Sequence, residues 1–288
     1  RELMSIRVGQ VIDDKYEVVR LLGEGGMGAV FEVRHRRIGR RLALKTLHPK
    51  CAEDEDTVTR FVREAQAAAA IGSEHIIDVT DAGETEDGTP FIVMEYLEGR
   101  DLDVLLSETG PLDIPRAVGL VLQVCRGLEA AHQRGIVHRD LKPGNLMLIT
   151  RSDGSDWVKV LDFGVAKIRE TLPTMGGATP ELTQSSTTLG TPYYMAPEQA
   201  WGSKKADARS DIYATGVVLY ELLTGRRPFR ADSYNELIIR VATTDPSPPR
   251  ESRPELDPEL EKVILRAMAR APENRYPSMS ELAKALEP

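Results

Sequence analysis

The stretch His138-Arg139-Asp140-Leu141-Lys142-Pro143-Gly144-Asn145 places a run of charge between two apolar segments, a pattern that no hydrophobic core requires. The helical pattern upstream of it stops at Gly135, Ile136-Val137 reads as a short strand, and Leu146 to Ile149 reads as another. The charges therefore belong on a loop between strands, where a rigid scaffold can aim them. Asp140 can accept a proton from an attacking hydroxyl, Lys142 can neutralise an anionic group, and Asn145 offers an oxygen to a divalent metal. The plain alternative is a solvated turn, which needs no such order of residue types.

Length and charge narrow the setting. At 288 residues the chain can bury a large core, and beyond roughly 250 residues cores usually split, so two lobes are expected. The 45 acidic residues against 37 basic give a net charge of -8, which argues against nucleic acid as the main partner. Cys51 and Cys125 lack metal-like or redox-like spacing, which fits a reducing compartment and a cytoplasmic location. No long apolar stretch follows Arg1-Glu2-Leu3-Met4, so no signal peptide is expected. The longest apolar run, Ile212 to Leu223, contains Glu221 and falls short of the roughly 20 residues of a membrane span. A soluble chain without a membrane segment is the expectation, and an anchor or sensor elsewhere in a longer protein stays open.

The first third reads as strands at Tyr16 to Leu22, Ala29 to Arg34 and Arg41 to Leu47, separated by glycine-containing turns. A helix capped by Asp56 or Thr57 then runs to about Ile71, with Phe61, Ala65, Ala68 and Ala69 at helical spacing. Ile76 to Asp81 and Pro90 to Met94 resume as strands, joined by a turn at Asp87-Gly88. The texture changes at Glu98-Gly99-Arg100, which divides a first lobe, 16–97, from a mainly helical second lobe, 98–286. Asp113 with Pro115 opens a helix striped by Val118, Val121, Val124, Cys125 and Leu128. Asp211 opens another, apolar nearly all round and stopped by Gly225, which belongs inside a core. Ser233 with Glu236, Ser278 with Glu281, and Asp257-Pro258 mark three further helix starts.

Four motifs accompany the charged loop. Gly23-Glu24-Gly25-Gly26-Met27-Gly28 lies between two predicted strands, and a dinucleotide fingerprint would instead need a helix after it. Lys45 follows Leu42-Ala43-Leu44 on the third strand, and Glu64 on the next helix is available as its partner. Ala43, two residues before, faces the same side and leaves room there. Lys159 to Gly164 is an apolar strand ending in Asp162-Phe163-Gly164, and Gly190-Thr191-Pro192-Tyr193-Tyr194 precedes Ala196-Pro197-Glu198. Each alone has an ordinary reading as a hairpin turn, a solvated lysine or an Asp-x-Gly turn.

In this order, over about Tyr16 to Leu286, the motifs resemble a eukaryotic-type serine/threonine protein kinase catalytic domain, and Met195 to Gln199 looks most like bacterial members. The resemblance implies an α+β, two-lobed fold, with a five-stranded antiparallel sheet and one helix in the first lobe and a helical second lobe. It implies that the loop around Leu22, Gly23, Glu24, Gly25, Gly26, Met27, Gly28, Ala29 and Val30 covers ATP. Leu22, Val30 and Ala43 would then meet the adenine, Met94 would limit its pocket, Glu95 and Leu97 would bind it through backbone groups, and Met147 would floor it. Lys45, held by Glu64, would bind phosphates. Asp140 would be the base, Lys142 would stabilise the γ-phosphoryl, and Asn145 and Asp162 would hold Mg²⁺, with Mn²⁺ as the alternative ion. Glu198 would pair with Arg275, and Phe163 would report active or inactive geometry.

The segment before Thr191 carries Thr171, Thr174, Thr179, Thr183, Ser185, Ser186, Thr187 and Thr188. In the family it is the activation segment, with Thr183, Ser185 and Thr187 as phosphate acceptors near Arg139 and Thr191 in the substrate-docking part. The expected activity is transfer of the γ-phosphoryl of MgATP to Ser/Thr of protein substrates, with autophosphorylation of this segment. Two departures stand out: Tyr213 replaces a common tryptophan, and Ala67 to Ala70 make the Glu64 helix small-faced, which points to self-association as an aid to activity. The rival readings are a catalytically weak kinase-like scaffold and a small-molecule phosphotransferase, which would not need Gly190 to Glu198.

Overall fold

A computed structural model of the chain describes residues 6–163, 192–200 and 206–287. They gather into two compact units, 6–72 with 77–98, and 73–76 with the remainder. Residues 73–76, which the linear division at Glu98 puts in the first lobe, thus pack with the second.

The first unit comprises β1 (Val11–Ile12), β2 (Tyr16–Glu24), β3 (Gly28–His35), β4 (Arg41–Leu47), α1 (Pro49–Ala52), α2 (Glu55–Ile71), β5 (Val79–Glu84) and β6 (Pro90–Glu95). The strands form one antiparallel sheet in the order β1-β2-β3-β4-β6-β5. It has six strands and not the expected five, because the two-residue β1 pairs with the start of β2. The strand expected at Ile76 to Asp81 begins only at Val79, since Ile76 bridges to Val160 of the second unit's sheet. Alternation sets the two faces. Phe31, Val33, Leu42, Leu44 and Val93 point into a core with Ile12, Tyr16 and Val18, each such large side chain contributing about 1.5–3 kcal/mol. Lys45 stands opposite Val30 and Ile92 on the other face. There Ile92 and Leu47 pack against Phe61 and Ala65, so α2 covers the face that carries the lysine. The helix is capped by Asp54, which accepts from Thr57 N (3.1 Å), ahead of the Asp56 or Thr57 that the sequence suggests, and it ends at Gly72 with φ 65°. Ala69 is exposed, and Ile71 completes the buried stripe.

The second unit contains β7 (Gly99–Asp101), α3 (Leu102–Thr109), α4 (Ile114–His132), β8 (Leu146–Thr150), β9 (Asp156–Val160), α5 (Pro197–Ala200), α6 (Ala208–Thr224), α7 (Tyr234–Thr243), α8 (Pro258–Ala267) and α9 (Met279–Leu286). β7, β8 and β9 form a small antiparallel sheet. The three later helices start where their caps predict: Ser233, Asp257 and Ser278 each accept from a backbone N–H of the first turn. α6 is buried from Ser210 to Thr224, as its all-round apolar sequence demands, and stops at Gly225 with φ 66°. Its cap is Asp207 and not Asp211, which lies inside the first turn. Ile136-Val137 forms no strand. Gly135, with φ 71°, ends α4 by donating to His132 O (2.9 Å), and Ile136 N donates to Ala131 O (3.0 Å). The helix end thereby consumes the backbone donor a strand would need.

Candidate active site

The charged loop is held from below by a carboxylate. Asp211 of α6, 1% exposed, accepts from His138 N (2.8 Å) and His132 Nε2 (2.7 Å) through Oδ2 and from Arg139 N (2.8 Å) through Oδ1. Charge-assisted bonds of this kind are the strong ones. They fix a backbone that is itself unusual, since Arg139 has φ 65°, a left-handed conformation costly for a residue other than glycine. His138, fully buried, closes the loop from above: Nε2 donates to Leu161 O (2.8 Å) and Nδ1 accepts from Asp140 N (3.2 Å), which sets the neutral tautomer. Its ring lies 4.8 Å from that of Phe163.

On this frame the predicted groups of the second unit meet. The Lys142 ammonium is 3.4 Å from the Asp140 carboxylate. Asn145, in a short 3-10 turn after Pro143, donates Nδ2 to Asp140 O (2.8 Å) and approaches its Oδ2 (3.5 Å). That bond turns the amide oxygen, the ligand-type atom, away from Asp140. Leu161 N donates to Asn145 O (2.8 Å), so Asp162 follows directly beside Asn145, exposed and at φ 45°. Two hard oxygen donors on adjacent backbones fit an Mg²⁺-like ion, which keeps several waters and takes few protein ligands. Among the described residues no cluster of three or more His, Cys, Asp or Glu offers a fuller metal cage. Met147 lies on β8 between Asp101 and Lys159, half-buried.

The first unit carries the other predicted groups. Leu22, Gly23, Glu24, Gly25, Gly26 and Met27 are exposed at the β2–β3 turn, Ala29 is buried, and Gly25 N donates to Gly28 O (2.9 Å). Gly28 has no room for a side chain: a Cβ there would lie 1.9 Å from Thr46 O. Ala43 pairs with Met94 and shares the face of Lys45. Glu64 precedes the buried Ala65 on α2. Glu95 N donates to Asp78 O (2.9 Å), and Leu97 follows β6, half-buried. Thr183, Ser185, Thr187 and Thr191 lie outside the described residues.

Three further residues, one in the first unit and two in the second, brace the predicted groups of their own unit without being singled out by the sequence. Asp211 is disguised by its place near a helix start. His48 donates N–H to Met27 O (2.8 Å) and Nε2–H to Gly25 O (2.8 Å), clamping the glycine turn to the end of β4. Gln199 donates to Arg139 O (3.1 Å) and accepts from Ala196 N (3.0 Å). Behind it the Glu198–Arg275 pair forms as expected, with two bonds of 2.8 Å. Burial pushes the Glu198 carboxyl up, but the bonds from Arg275 and from Ser210 Oγ–H outweigh this and hold it below the ordinary carboxylate value. Tyr194 donates to Glu221, and burial with that neighbour pushes its phenol far up.

A family model described as protein kinase domain matches residues 16–285. Serine/threonine-protein kinase pkn3 of Myxococcus xanthus is 46% identical over 280 residues, which is 96% of this chain and 50% of the relative. Probable serine/threonine-protein kinase PknB of Corynebacterium glutamicum is 42% identical over 283 residues, 96% of this chain and 42% of the relative. The chain thus spans about half the length, or less, of these curated relatives. Among solved structures, the Mycobacterium tuberculosis PknI kinase domain is similar with a TM-score of 0.73 and 31% identity, covering 98% of each chain.

Proposed function

The chain belongs to the protein kinase family, of the serine/threonine type, and on that premise we propose that it transfers the γ-phosphoryl group of ATP to serine or threonine hydroxyls of proteins. The observation that carries the reading is the loop on which Asp140, Lys142 and Asn145 meet, braced by Asp211. Asp140 orients the acceptor hydroxyl and takes its proton as oxygen bonds to phosphorus and ADP leaves. Lys142, already beside that carboxylate, meets the charge on the transferred group. Asn145 and Asp162 hold Mg²⁺, or Mn²⁺ in its place, and the ion neutralises phosphate charge when bound. In the first unit the turn from Leu22 to Val30 offers backbone N–H groups to phosphates, and Lys45 with Glu64 positions them. Ala43, Met94, Glu95 and Leu97 recognise the base, as does Met147.

The finer regulation belongs to the same proposal. Arg139 has a buried Nε without a hydrogen-bond partner among the described residues. A guanidinium with this donor unmet next to Asp140 suits a phosphate on the segment containing Thr183, Ser185 and Thr187, made by the kinase itself. The small side chains on α2 favour activation by self-association. Among the described residues no helix is long and apolar enough to cross a membrane. Phosphosite mass spectrometry after incubation with MgATP and candidate proteins tests the reading. Phosphoserine or phosphothreonine on protein, absent with Lys45→Met, supports it; phosphate found only on small molecules would overturn it.

A further inference from the structure

One charged surface of the second unit takes no part in the chemistry above. An open cleft of about 410 Å³ is lined by Tyr193, Glu221, Arg226, Arg227 and Arg230, among others. Glu221 is its one lining carboxylate among the described residues, and that charge is already met. Arg227 Nε donates to Glu221 Oε1 (3.2 Å), and Tyr194 OH donates to Oε2. The Arg227 guanidinium also lies 4.3 Å from the centre of the Tyr193 ring, which holds it at the cleft wall. Arg226 and Arg230 are exposed, and among the described residues neither forms an ion pair. Glu236, the nearest acid on α7, is engaged by Arg240 at 2.8 Å. The cleft therefore presents an excess of guanidinium on a protein whose net charge is -8.

Its position points to the substrate. Tyr193 lies in the 3-10 turn Pro192–Tyr194, and six residues on, Gln199 is bonded to Arg139 O next to Asp140. Six residues span at most about 20 Å, a distance that a short peptide segment covers. An acceptor hydroxyl at Asp140 thus brings its flanking residues within reach of the cleft.

We infer that this cleft is a subsite for carboxylate side chains flanking the acceptor, so that the kinase favours acidic acceptor segments and disfavours basic ones. The inference rests on the kinase reading and names the substrate class for it. Planar guanidinium forks match carboxylates in geometry as well as charge. A lysine-rich segment meets repulsion from Arg226 and Arg230 and finds Glu221 occupied, which sharpens the discrimination. Solvent-exposed pairs are individually weak and screened by salt, so the preference is modest, about tenfold, and salt-sensitive.

The test uses the 288-residue chain and three peptides that share one threonine and differ only in flanking Glu, Ala or Lys. The expected result is a kcat/KM about tenfold higher for the Glu peptide than for the Lys peptide, expressed in KM and shrinking at high salt. The double variant Arg226→Glu with Arg230→Glu reverses the ranking while KM for ATP stays unchanged. Equal kcat/KM for the three peptides, or a ranking that survives charge reversal, overturns the subsite and leaves the kinase reading intact. Should no peptide be phosphorylated, the kinase reading fails first, and fluorescence anisotropy of the labelled peptides still decides the cleft: tighter binding of the Glu peptide, lost in the double variant, supports it, and equal binding overturns it.

Discussion

Replacing Asp211 by alanine removes one carboxylate and leaves three donors without an acceptor: His138 N, Arg139 N and His132 Nε2. The two histidine donors sit where water does not replace the lost partner, as His138 is fully buried and the His132 side chain is 8% exposed, and Arg139 N is part-buried. An orphaned buried donor costs about 1–3 kcal/mol, so the three together set a loss of roughly 3–6 kcal/mol once partial relaxation is allowed. Asparagine is the sharper probe. With its amide oxygen at Oδ2 it keeps the bonds from His138 N and His132 Nε2, but its amide N–H₂ then faces Arg139 N–H. The asparagine variant should lose about 1–3 kcal/mol in urea unfolding. It should also lose of order a hundredfold in kcat, since Arg139 directly precedes Asp140 and a displacement of about 1 Å at reacting groups has that effect. KM for ATP should change little, because the Asp211 carboxylate bonds to the loop and to His132 at the end of α4, and to none of the groups assigned to the nucleotide. An alanine variant within about 1 kcal/mol of the parent, or an asparagine variant with unchanged kcat, would refute the bracing argument.

Other expectations follow from single contacts. Arg275, whose side chain is fully buried, places all five N–H donors: two on Glu198 and one each on Ala269 O, Arg209 O and Arg270 O. Arg275→Met should therefore cost about 3–5 kcal/mol in chemical denaturation by stranding the carboxylate. Because the Glu198 carboxyl is held below its ordinary 4.5, its contribution is complete above that value and lost as pH falls through the folded-state value; Glu198→Gln should flatten stability against pH in that acid window. His48→Ala should raise KM for ATP several-fold by releasing Gly25 O from the imidazole while the backbone bond to Met27 O stays, and His48→Gln, which keeps a side-chain donor, should recover part of it in steady-state kinetics. Replacing Thr183, Ser185, Ser186, Thr187 and Thr188 together by alanine should lower transfer to an external peptide far more than ATP binding, as read by parallel kinetics and calorimetry.

What the sequence makes legible is set by how local the cause is. The caps at Ser233, Asp257 and Ser278 are read directly because the capping residue and the helix it starts are neighbours. The burial of α6 is likewise written in its all-round apolar composition. Asp211 escapes this reasoning: an aspartate near a helix start looks like a cap, and only the tertiary fold shows it accepting from a loop some seventy residues earlier. His48 is hidden for the same reason, since nothing in Leu47-His48-Pro49 announces a bond to the glycine turn. Ile136-Val137 misled because two β-branched residues have strand propensity, yet the Gly135 helix ending had already claimed the donor of Ile136. α3 was missed because β7, only three residues long, runs straight into its cap at Asp101, which accepts from Val104 N (2.8 Å). The Glu198–Arg275 pair, 77 residues apart, was legible only through the family pattern.

The central claim is that Asp140 orients and deprotonates a Ser/Thr hydroxyl for phosphoryl transfer to protein. The most direct measurement is single-turnover transfer from radiolabelled ATP to a threonine peptide, comparing the parent with Asp140→Asn, with ATP affinity measured alongside. Asp140→Asn should lose about 10²–10⁴ in rate with ATP affinity retained, because Asn keeps the shape that Asn145 and Lys142 contact but cannot take the proton. A variant that transfers phosphate at the parental rate would contradict that claim.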